Sequence, residues 1–259
     1  MGAAGRYFRP MPDAPASPPT PAPLDLLAIG PHRDDVELLC GGTILNAVAR
    51  GRRAGILDLT RGELGTRGSA ELREAEAARA AAVLGVAVRE NLGLPDAGIT
   101  NTVETRAQLV QVLRRLRPAV VIGPAPTGRH PDHSVASALV RDACFLAGIV
   151  KFAPGLPAHR PRKLLYAMAY REDAEKPTFV VDISDTFERK LEAVRCYGSQ
   201  FDGATQAGEV MPNGEPLYDV VRHHAAHYGS LVRARYGEPF VTLETMRVED
   251  VTALEVATF

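Results

Sequence analysis

Short apolar runs alternate with helix-forming segments over most of this 259-residue chain. The runs LDLLAIG, AGILDLT and AVVIGPA begin at Leu24, Ala54 and Ala119, and each has the length of a buried strand. Segments rich in Ala, Glu, Arg and Leu, which are strong helix formers, cover Ala70–Leu84 and Thr105–Leu116. Parallel strands need crossover connections, and the crossover helices cover the sheet. The alternation therefore predicts an α/β fold, a Rossmann-like and mostly parallel sheet with helices on both faces.

The same pattern continues toward the C-terminus and indicates one folded domain. It predicts further helices over Gly42–Arg50, Ser134–Gly148 and Thr186–Tyr197, and further strands at Ala87–Leu92, LLYAMAY and TFVVDI. Residues 1–23 are expected to form a flexible tail, because Pro and Ala recur through MPDAPASPPTPAP. Residues 24–259 then form a single domain, in which the polar, glycine-bearing segment Ser199–Pro216 is expected to be a mobile loop.

Composition and charge argue against several classes of protein. Lys+Arg 30 against Asp+Glu 31 gives a net charge of -1, so no global positive field attracts nucleic acid or an anionic membrane. No apolar run approaches the roughly 20 residues that span a bilayer. The cysteines, Cys40, Cys144 and Cys196, are odd in number and far apart, which indicates a reducing compartment rather than a disulfide framework. Because the N-terminus also lacks the apolar segment of a secretory signal, a cytoplasmic location is expected.

Two polar clusters follow two of the predicted strands. PHRDD comes after LDLLAIG, and RHPDH comes after AVVIGPA; the acidic and imidazole side chains of the clusters are His32, Asp34, Asp35, His130, Asp132 and His133. In parallel sheets ligands bind outside the carboxyl ends of the strands, so the clusters converge in one crevice if their strands are neighbours. A catalytic zinc takes three His or carboxylate ligands and leaves a fourth position open. His32, Asp35 and His133 can supply that set.

Each cluster alone also has a structural interpretation. H-x-D-D occurs by chance, and Asp132 is suited to cap the helix that follows it. Taken together at matching strand ends, the clusters favour a metallohydrolase, with Asp34 and the His130–Asp132 pair available for proton transfer and charge stabilisation.

With these motifs the sequence resembles the PIG-L/LmbE-like family of zinc-dependent N-acetylglucosaminyl deacetylases. The resemblance extends from Leu24 to about Glu238 and includes PHRDDVELLCGGTI, LTRGELGTRGS with ELREAE, ENLGLPDAGI, RHPDHS, FVVDIS and YGSQF. LGLPD and the Ser-Gln-Phe segment look most similar to the bacillithiol branch. That branch implies hydrolysis of N-acetylglucosaminyl-malate to glucosaminyl-malate and acetate. The alternatives are a deacetylase of an inositol-linked or chitooligosaccharide conjugate, and a non-catalytic metal- or sugar-binding module.

The resemblance also implies a metal centre and an assembly. It makes His32, Asp35 and His133 the metal ligands and Asp34 the base that activates water. Two imidazoles and one carboxylate suit both Zn²⁺ and Fe²⁺, with zinc as the family's metal. Family members further imply a homo-oligomer, possibly a hexamer, acting on a small N-acetylglucosamine conjugate.

In the family the first histidine of the second motif stabilises the tetrahedral oxyanion and is held by the aspartate two residues later. This implies those roles for His130 and Asp132, and a carboxylate beside an imidazole favours its cationic form. Both Asp34 and His130 remain candidates for protonating the leaving amine.

Three further residues are implied to bind substrate, namely Arg73, Arg129 and Tyr218. Guanidinium groups bind carboxylates such as those of malate through paired hydrogen bonds. The alternative for Arg73 is a helical pair with Glu76. One residue departs from the family pattern, because Arg33 stands where the family commonly has proline. Since the Arg33 side chain is not a ligand, we expect the metal set to be retained. The side chain is expected to face solvent, with pairing to a substrate carboxylate as the alternative.

Overall fold

The computed structural model describes residues 22–65, 67–169, 176–202 and 217–256. The strands are β1 (Leu26–Gly30), β2 (Ala54–Thr60), β3 (Val88–Leu94), β4 (Val120–Pro124), β5 (Lys163–Ala167), β6 (Phe179–Asp182) and β7 (Gly237–Val241). The helices are α1 (Asp35–Ala49), α2 (Ala70–Leu84), α3 (Val103–Leu116), α4 (Pro131–Leu146), α5 (Phe187–Arg195), α6 (Gly198–Phe201) and α7 (Leu217–Leu231), and a 3₁₀ turn covers Val251–Ala253. Residues 1–21 of the predicted tail and 203–216 of the predicted mobile loop lie outside the described residues.

The seven strands form one sheet in the order β3-β2-β1-β4-β5-β7-β6. The pairs from β3 across to β5 are parallel, whereas β7 runs antiparallel to both β5 and β6. The chain leaves β1 toward β2 on one side, and β4 pairs with β1 on the other side. The strand order thus reverses between β1 and β4, which opens a crevice at the carboxyl ends of these two strands.

Helices cover both faces of the sheet, which confirms the predicted α/β class. Alternate residues of β1 point to opposite faces: Leu27 and Ile29 belong to the core under α3 and α4, while Leu26 and Ala28 belong to the core under α1, α2 and α5. All residues of β1 and β2 are buried, as expected for strands covered on both sides. No helix among the described residues is long and apolar enough to cross a membrane.

Helix α1 begins earlier than the sequence predicted and contains a kink. It starts at Asp35 rather than Gly42, and Cys40 has non-helical dihedral angles (φ −145°, ψ 21°). The kink frees the backbone N–H groups of the next turn, and the carboxylate of Glu238 on β7 accepts them. Glu238 accepts from the N–H groups of Gly42 (2.8 Å) and Thr43 (2.7 Å) and from Lys190 Nζ (2.7 Å). A buried side chain from the far end of the chain therefore caps the second part of α1.

Removal of this buried carboxylate is expected to be costly. Glu238 is 1% exposed and Lys190 is 3% exposed, so Glu238→Ala leaves a buried ammonium and two N–H groups without partners. We expect the free energy of unfolding to fall by about 3–5 kcal/mol, measured by urea denaturation. Glu244→Ala is the control, because Glu244 is exposed, and it should change stability by less than about 0.5 kcal/mol. Equal stability of the two variants would contradict the capping role.

Candidate metal centre and active site

The loop between β1 and α1 carries the first cluster and is packed tightly against the sheet. The Pro31 carbonyl accepts from the backbone N–H and the hydroxyl of Thr60, both at 3.0 Å, which ties the loop to the end of β2. A Cβ atom at Gly30 would lie 3.1 Å from Cβ of Asp35, so glycine permits the close approach of β1 to the start of α1. The short, anchored loop places His32, Asp34 and Asp35 at the carboxyl end of β1.

The second cluster forms the start of α4, just beyond β4. His130 is the N-cap residue, and its Nδ1 accepts a hydrogen bond from the Asp132 backbone N–H at 3.2 Å. Pro131 occupies the first turn, where its missing N–H costs nothing. His133 follows in the same turn, with its N–H on the His130 carbonyl (3.1 Å). A proline-initiated helix therefore directs the second cluster into the crevice opened by the strand order.

The two clusters meet, as the sequence predicted. Nδ1 of His32 lies 3.1 Å from one oxygen of Asp35, and Nε2 of His133 lies 3.2 Å from the other. The ligand-type atoms of these three residues all lie within 4.8 Å of one another. Their side chains are only 12–14% exposed. Two imidazoles and a carboxylate at these separations fit a divalent transition metal with an open position.

A second group of the same kind shares one residue with the first. Ligand-type atoms of His32, His130 and Asp132 also lie within 4.8 Å of one another. The rings of His32 and His130 are in edge contact, with centroids 4.8 Å apart. Both groups use His32, and the more buried group is the one that contains Asp35 and His133.

The electrostatics of the centre favour a cation. Burial alone raises the pKa of Asp35, but the His133 and His32 imidazoles hold it well below its usual range. Burial lowers the pKa of His32, yet the carboxylates of Asp35 and Asp96 raise it to about 11. Burial likewise lowers the pKa of His133, and Asp35 more than compensates. The negative charge of Asp35 that favours cationic imidazoles here is the same charge that would favour a bound metal cation.

Asp34 lies beside the candidate metal ligands and contacts an arginine. Its carboxylate is 3.3 Å from Nη2 of Arg73, while burial and the neighbouring Asp35 raise its pKa against the effect of Arg73. Nη1 of Arg73 donates to the Gly62 carbonyl at 3.0 Å. A Cβ atom at Gly62, whose φ is +69°, would lie 2.3 Å from that same Nη1. Glycine in this loop is therefore required for Arg73 to reach Asp34.

In the structure, Arg73 and Glu76 contact other groups instead of forming the helical pair considered above. Glu76 accepts from the backbone N–H (2.9 Å) and the hydroxyl (2.7 Å) of Ser199. Arg73 instead faces Asp34, and its guanidinium is buried. The Ser-Gln-Phe segment noted in the sequence thus supports the helix that carries Arg73.

Asp132 does more than the sequence indicated. Its carboxylate accepts from the backbone N–H of Ala97 (2.8 Å) and of Ile99 (3.4 Å), and lies 3.4 Å from Nε2 of His32. The Asp132 carboxylate does raise the pKa of His130, but this effect is outweighed. Burial, followed by repulsion from the His32 and His133 imidazoles, lowers the pKa of His130 despite the nearby carboxylate.

Asp96 is a site residue that the sequence motifs did not predict. Oδ1 of Asp96 lies 3.2 Å from Nε2 of His32, and Oδ2 accepts from the Leu64 backbone N–H at 2.9 Å. The hydrogen bond with His32 helps to lower the pKa of Asp96 to about 2. Asp96 belongs to the LGLPD motif and follows β3. The rule that functional residues lie after parallel strands could have identified it.

The expectation that Arg33 faces solvent is wrong. Arg33 is 4% exposed; its Nη1 donates to the Ala70 carbonyl (3.1 Å), and its Nη2 lies 3.5 Å from Glu74. The first turn of α2 supplies acceptors that a sequence motif does not reveal. Arg33 therefore joins the catalytic loop to the helix that carries Arg73.

The two remaining predicted substrate residues lie at different places. Arg129 is exposed and directly precedes His130. Tyr218, in the first turn of α7, donates to Asp202 at 2.6 Å, and the guanidinium of Arg195 lies 5.5 Å from the centre of its ring. These contacts connect Tyr218 to the region after α5 rather than to the imidazoles.

Comparison with known proteins identifies the family. Residues 27–144 match the family model described as PIG-L, GlcNAc-PI de-N-acetylase. Diacetylchitobiose deacetylase of Thermococcus kodakarensis is 34% identical over 228 residues, covering 82% of this chain and 80% of the relative. Among solved structures, the conserved protein TT1542 of Thermus thermophilus is 41% identical with a TM-score of 0.78, covering 87% of this chain and 98% of that one. N,N'-diacetylchitobiose deacetylase of Pyrococcus horikoshii is 29% identical with a TM-score of 0.72, covering 83% and 82%. The chain therefore belongs to the PIG-L family of metal-dependent N-deacetylases.

Proposed function

We propose that this protein is a zinc-dependent deacetylase that hydrolyses the acetamide of an N-acetylglucosamine unit in a short chitooligosaccharide. The observation that carries the proposal is the convergence of His32, Asp35 and His133 beside Asp34 at the carboxyl ends of β1 and β4. A zinc ion held by these three residues would polarise the amide carbonyl and lower the pKa of the attacking water. The rest of the chemistry falls to the protein's own side chains.

Asp34 is proposed as the general base. The Asp34 carboxylate lies beside the candidate metal ligands but belongs to neither of the two three-residue groups described above. It can therefore accept a proton from the attacking water. The guanidinium of Arg73 fixes the position of the carboxylate from the side of α2. Since Asp34 holds the proton after attack, we assign to it the protonation of the leaving amine.

His130 is proposed to stabilise the oxyanion as a neutral donor. Because its Nδ1 accepts the Asp132 backbone N–H, the proton of the neutral ring is on Nε2. An Nε2–H group can donate to the developing negative charge without the ring becoming a cation. Asp132 then acts mainly by fixing the Ala97–Ile99 backbone and His32, and less by charging His130.

The proposed substrate differs from the first expectation from sequence. The bacillithiol branch predicted a malyl conjugate, but the two deacetylase relatives described above are named for diacetylchitobiose. The contacts of Arg73 support the same change, because Nη1 donates to Gly62 and Nη2 faces Asp34. Both Nη atoms of Arg73 are thus engaged, and of its donors only Nε has no hydrogen-bond partner among the described residues. A single donor cannot bind a malyl carboxylate through paired hydrogen bonds, so an uncharged second sugar fits this site better.

The test is a comparison of substrates with and without metal. Free-amine release would be measured for N,N'-diacetylchitobiose, N-acetylglucosaminyl-malate and N-acetylglucosaminyl-inositol. We expect kcat/KM for the chitobiose to exceed the others by at least about 10-fold, and chelation to abolish all turnover. Preference for the malyl conjugate would restore the bacillithiol interpretation. Turnover that survives complete metal removal would contradict the proposed mechanism itself.

A further inference from the structure

Four polar side chains form a network around one backbone carbonyl, that of Arg33, which lies between His32 and Asp34. Two of them donate to this carbonyl, and the other two hold the donors. The four come from α1, β2, β3 and the segment between α5 and α6, and we call them the Arg33 clamp: Glu37, Asp58, Arg89 and Tyr197. Glu37 is 0% exposed and Asp58 is 2% exposed. Neither the motifs nor the proposed chemistry gives these residues a role.

The carbonyl receives two hydrogen bonds. Nη2 of Arg89 donates to it at 2.5 Å, and the hydroxyl of Tyr197 donates to it as well. A peptide carbonyl has two lone pairs, so both are used. The peptide that joins Arg33 to Asp34 is thereby fixed in orientation from two directions.

The donors are themselves held in place by the acidic members of the clamp. Arg89 donates through Nε (2.9 Å) and Nη2 (2.8 Å) to the two oxygens of Asp58. Its Nη1 donates to Oε1 of Glu37 at 2.5 Å, and the Tyr197 hydroxyl lies 3.0 Å from the same oxygen. The planar guanidinium of Arg89 can donate to Asp58, Glu37 and the carbonyl together in only one orientation.

Stability alone does not account for this arrangement. Buried charges are expensive to desolvate, and replacing such groups by apolar side chains is often neutral or stabilising. The second oxygen of Glu37 has no hydrogen-bond partner within the described part of the chain. The clamp is therefore better explained by the geometry that it fixes than by a gain in stability.

We infer that the Arg33 clamp positions the catalytic loop, and that Arg89 and Tyr197 are its positioning residues. Because the peptide is planar, a fixed Arg33 carbonyl also fixes the N–H and Cα of Asp34. Few rotatable bonds then remain to set the orientations of the His32, Asp34 and Asp35 side chains. The clamp contacts no reacting atom and acts through the backbone. For its activity readout the inference rests on the proposed deacetylase function.

Tyr197→Phe is the sharpest test, because it removes one hydroxyl and keeps the buried ring. Outer partners of a metal site commonly contribute 10–100-fold in affinity or activity. We expect the metal dissociation constant to rise by about 10-fold. With diacetylchitobiose we expect kcat to fall by about 10-fold and KM to stay within about 2-fold. Arg89→Lys should give the same pattern, since one ammonium group cannot serve Asp58, Glu37 and the carbonyl together.

Tyr236→Phe is the matched control. Tyr236 is also buried and its hydroxyl accepts from Arg222 at 2.9 Å, but it lies just before β7, away from the catalytic loop. It should lower Tm as much as Tyr197→Phe and leave metal affinity and kcat unchanged. The inference is overturned if Tyr197→Phe and Arg89→Lys match Tyr236→Phe in metal affinity and kcat. A wild-type protein that binds metal but cleaves no acetylated sugar overturns the proposed function instead, and the metal affinities still decide the role of the clamp.

Discussion

Replacing Asp34 by Asn is expected to lower kcat by about 10²–10⁴-fold while the protein keeps its metal. The amide has the shape of the carboxylate but cannot take a proton from water. The variant keeps the three proposed metal ligands, His32, Asp35 and His133. The contacts among these ligands do not involve the Asp34 side chain. Steady-state turnover of diacetylchitobiose and metal content by elemental analysis would be measured on the same preparation.

Asp25→Asn provides the control for this change. Asp25 lies at the opposite end of β1, where its carboxylate accepts the Arg53 backbone N–H at 2.8 Å. Its substitution should leave kcat within about 2-fold of wild type, because it is far from any reacting group. Wild-type kcat in Asp34→Asn would show that another group activates the water. Loss of metal from this variant would instead assign Asp34 to the ligand set.

His133→Ala is expected to remove metal and activity together. The variant leaves two of three proposed ligands, and we expect the metal dissociation constant to rise by more than about 100-fold, beyond the effect of losing an outer partner. Equilibrium dialysis with zinc measures this directly, without a substrate. His159→Ala is the control, since His159 contacts the Pro118 carbonyl at 2.8 Å and lies outside both three-residue groups.

The same variant distinguishes the two possible metal groups. His32, His130 and Asp132 remain intact in His133→Ala. If the variant retained one zinc with wild-type affinity, that second group would be the metal site and the proposed role of His130 would fail. Retention of metal by His130→Ala together with its loss from His133→Ala is the expected pair of results.

Much of the fold follows from local sequence. The predicted bounds of β2 and α2 agree with the structure, because an apolar run and an alanine-rich segment each end at clear breakers. Ser69 accepts from the Leu72 N–H at the start of α2, and Gly85 ends it in a left-handed conformation. Such signals are local, so they can be read without tertiary structure.

The elements that were missed depend on distant partners. Strand β7 contains Pro239 and still lies between β5 and β6, a position that proline usually argues against. The kink of α1 at Cys40 is followed by N–H groups that Glu238 caps from β7. Neither feature has a signal in its own segment.

The candidate site also combines residues that the sequence predicted with residues that it did not. Its His and Asp residues were found because they follow strands, and the strand order then brought them together. The burial of Arg33 and the contacts of Arg89 and Tyr197 could not be predicted, since they join α2, β3 and the end of α5 to one loop. Spacing along the chain carries no information on such contacts.

The cap on α1 also has a consequence for biosynthesis. The bond from the Gly42 N–H to Glu238 spans 196 residues. At about 5–20 residues per second on the ribosome, this separation corresponds to roughly 10–40 s of translation. During that interval the second part of α1 lacks its cap. The cap of α1 thus forms only after β7 has been made, long after the ribosome has added the catalytic loop.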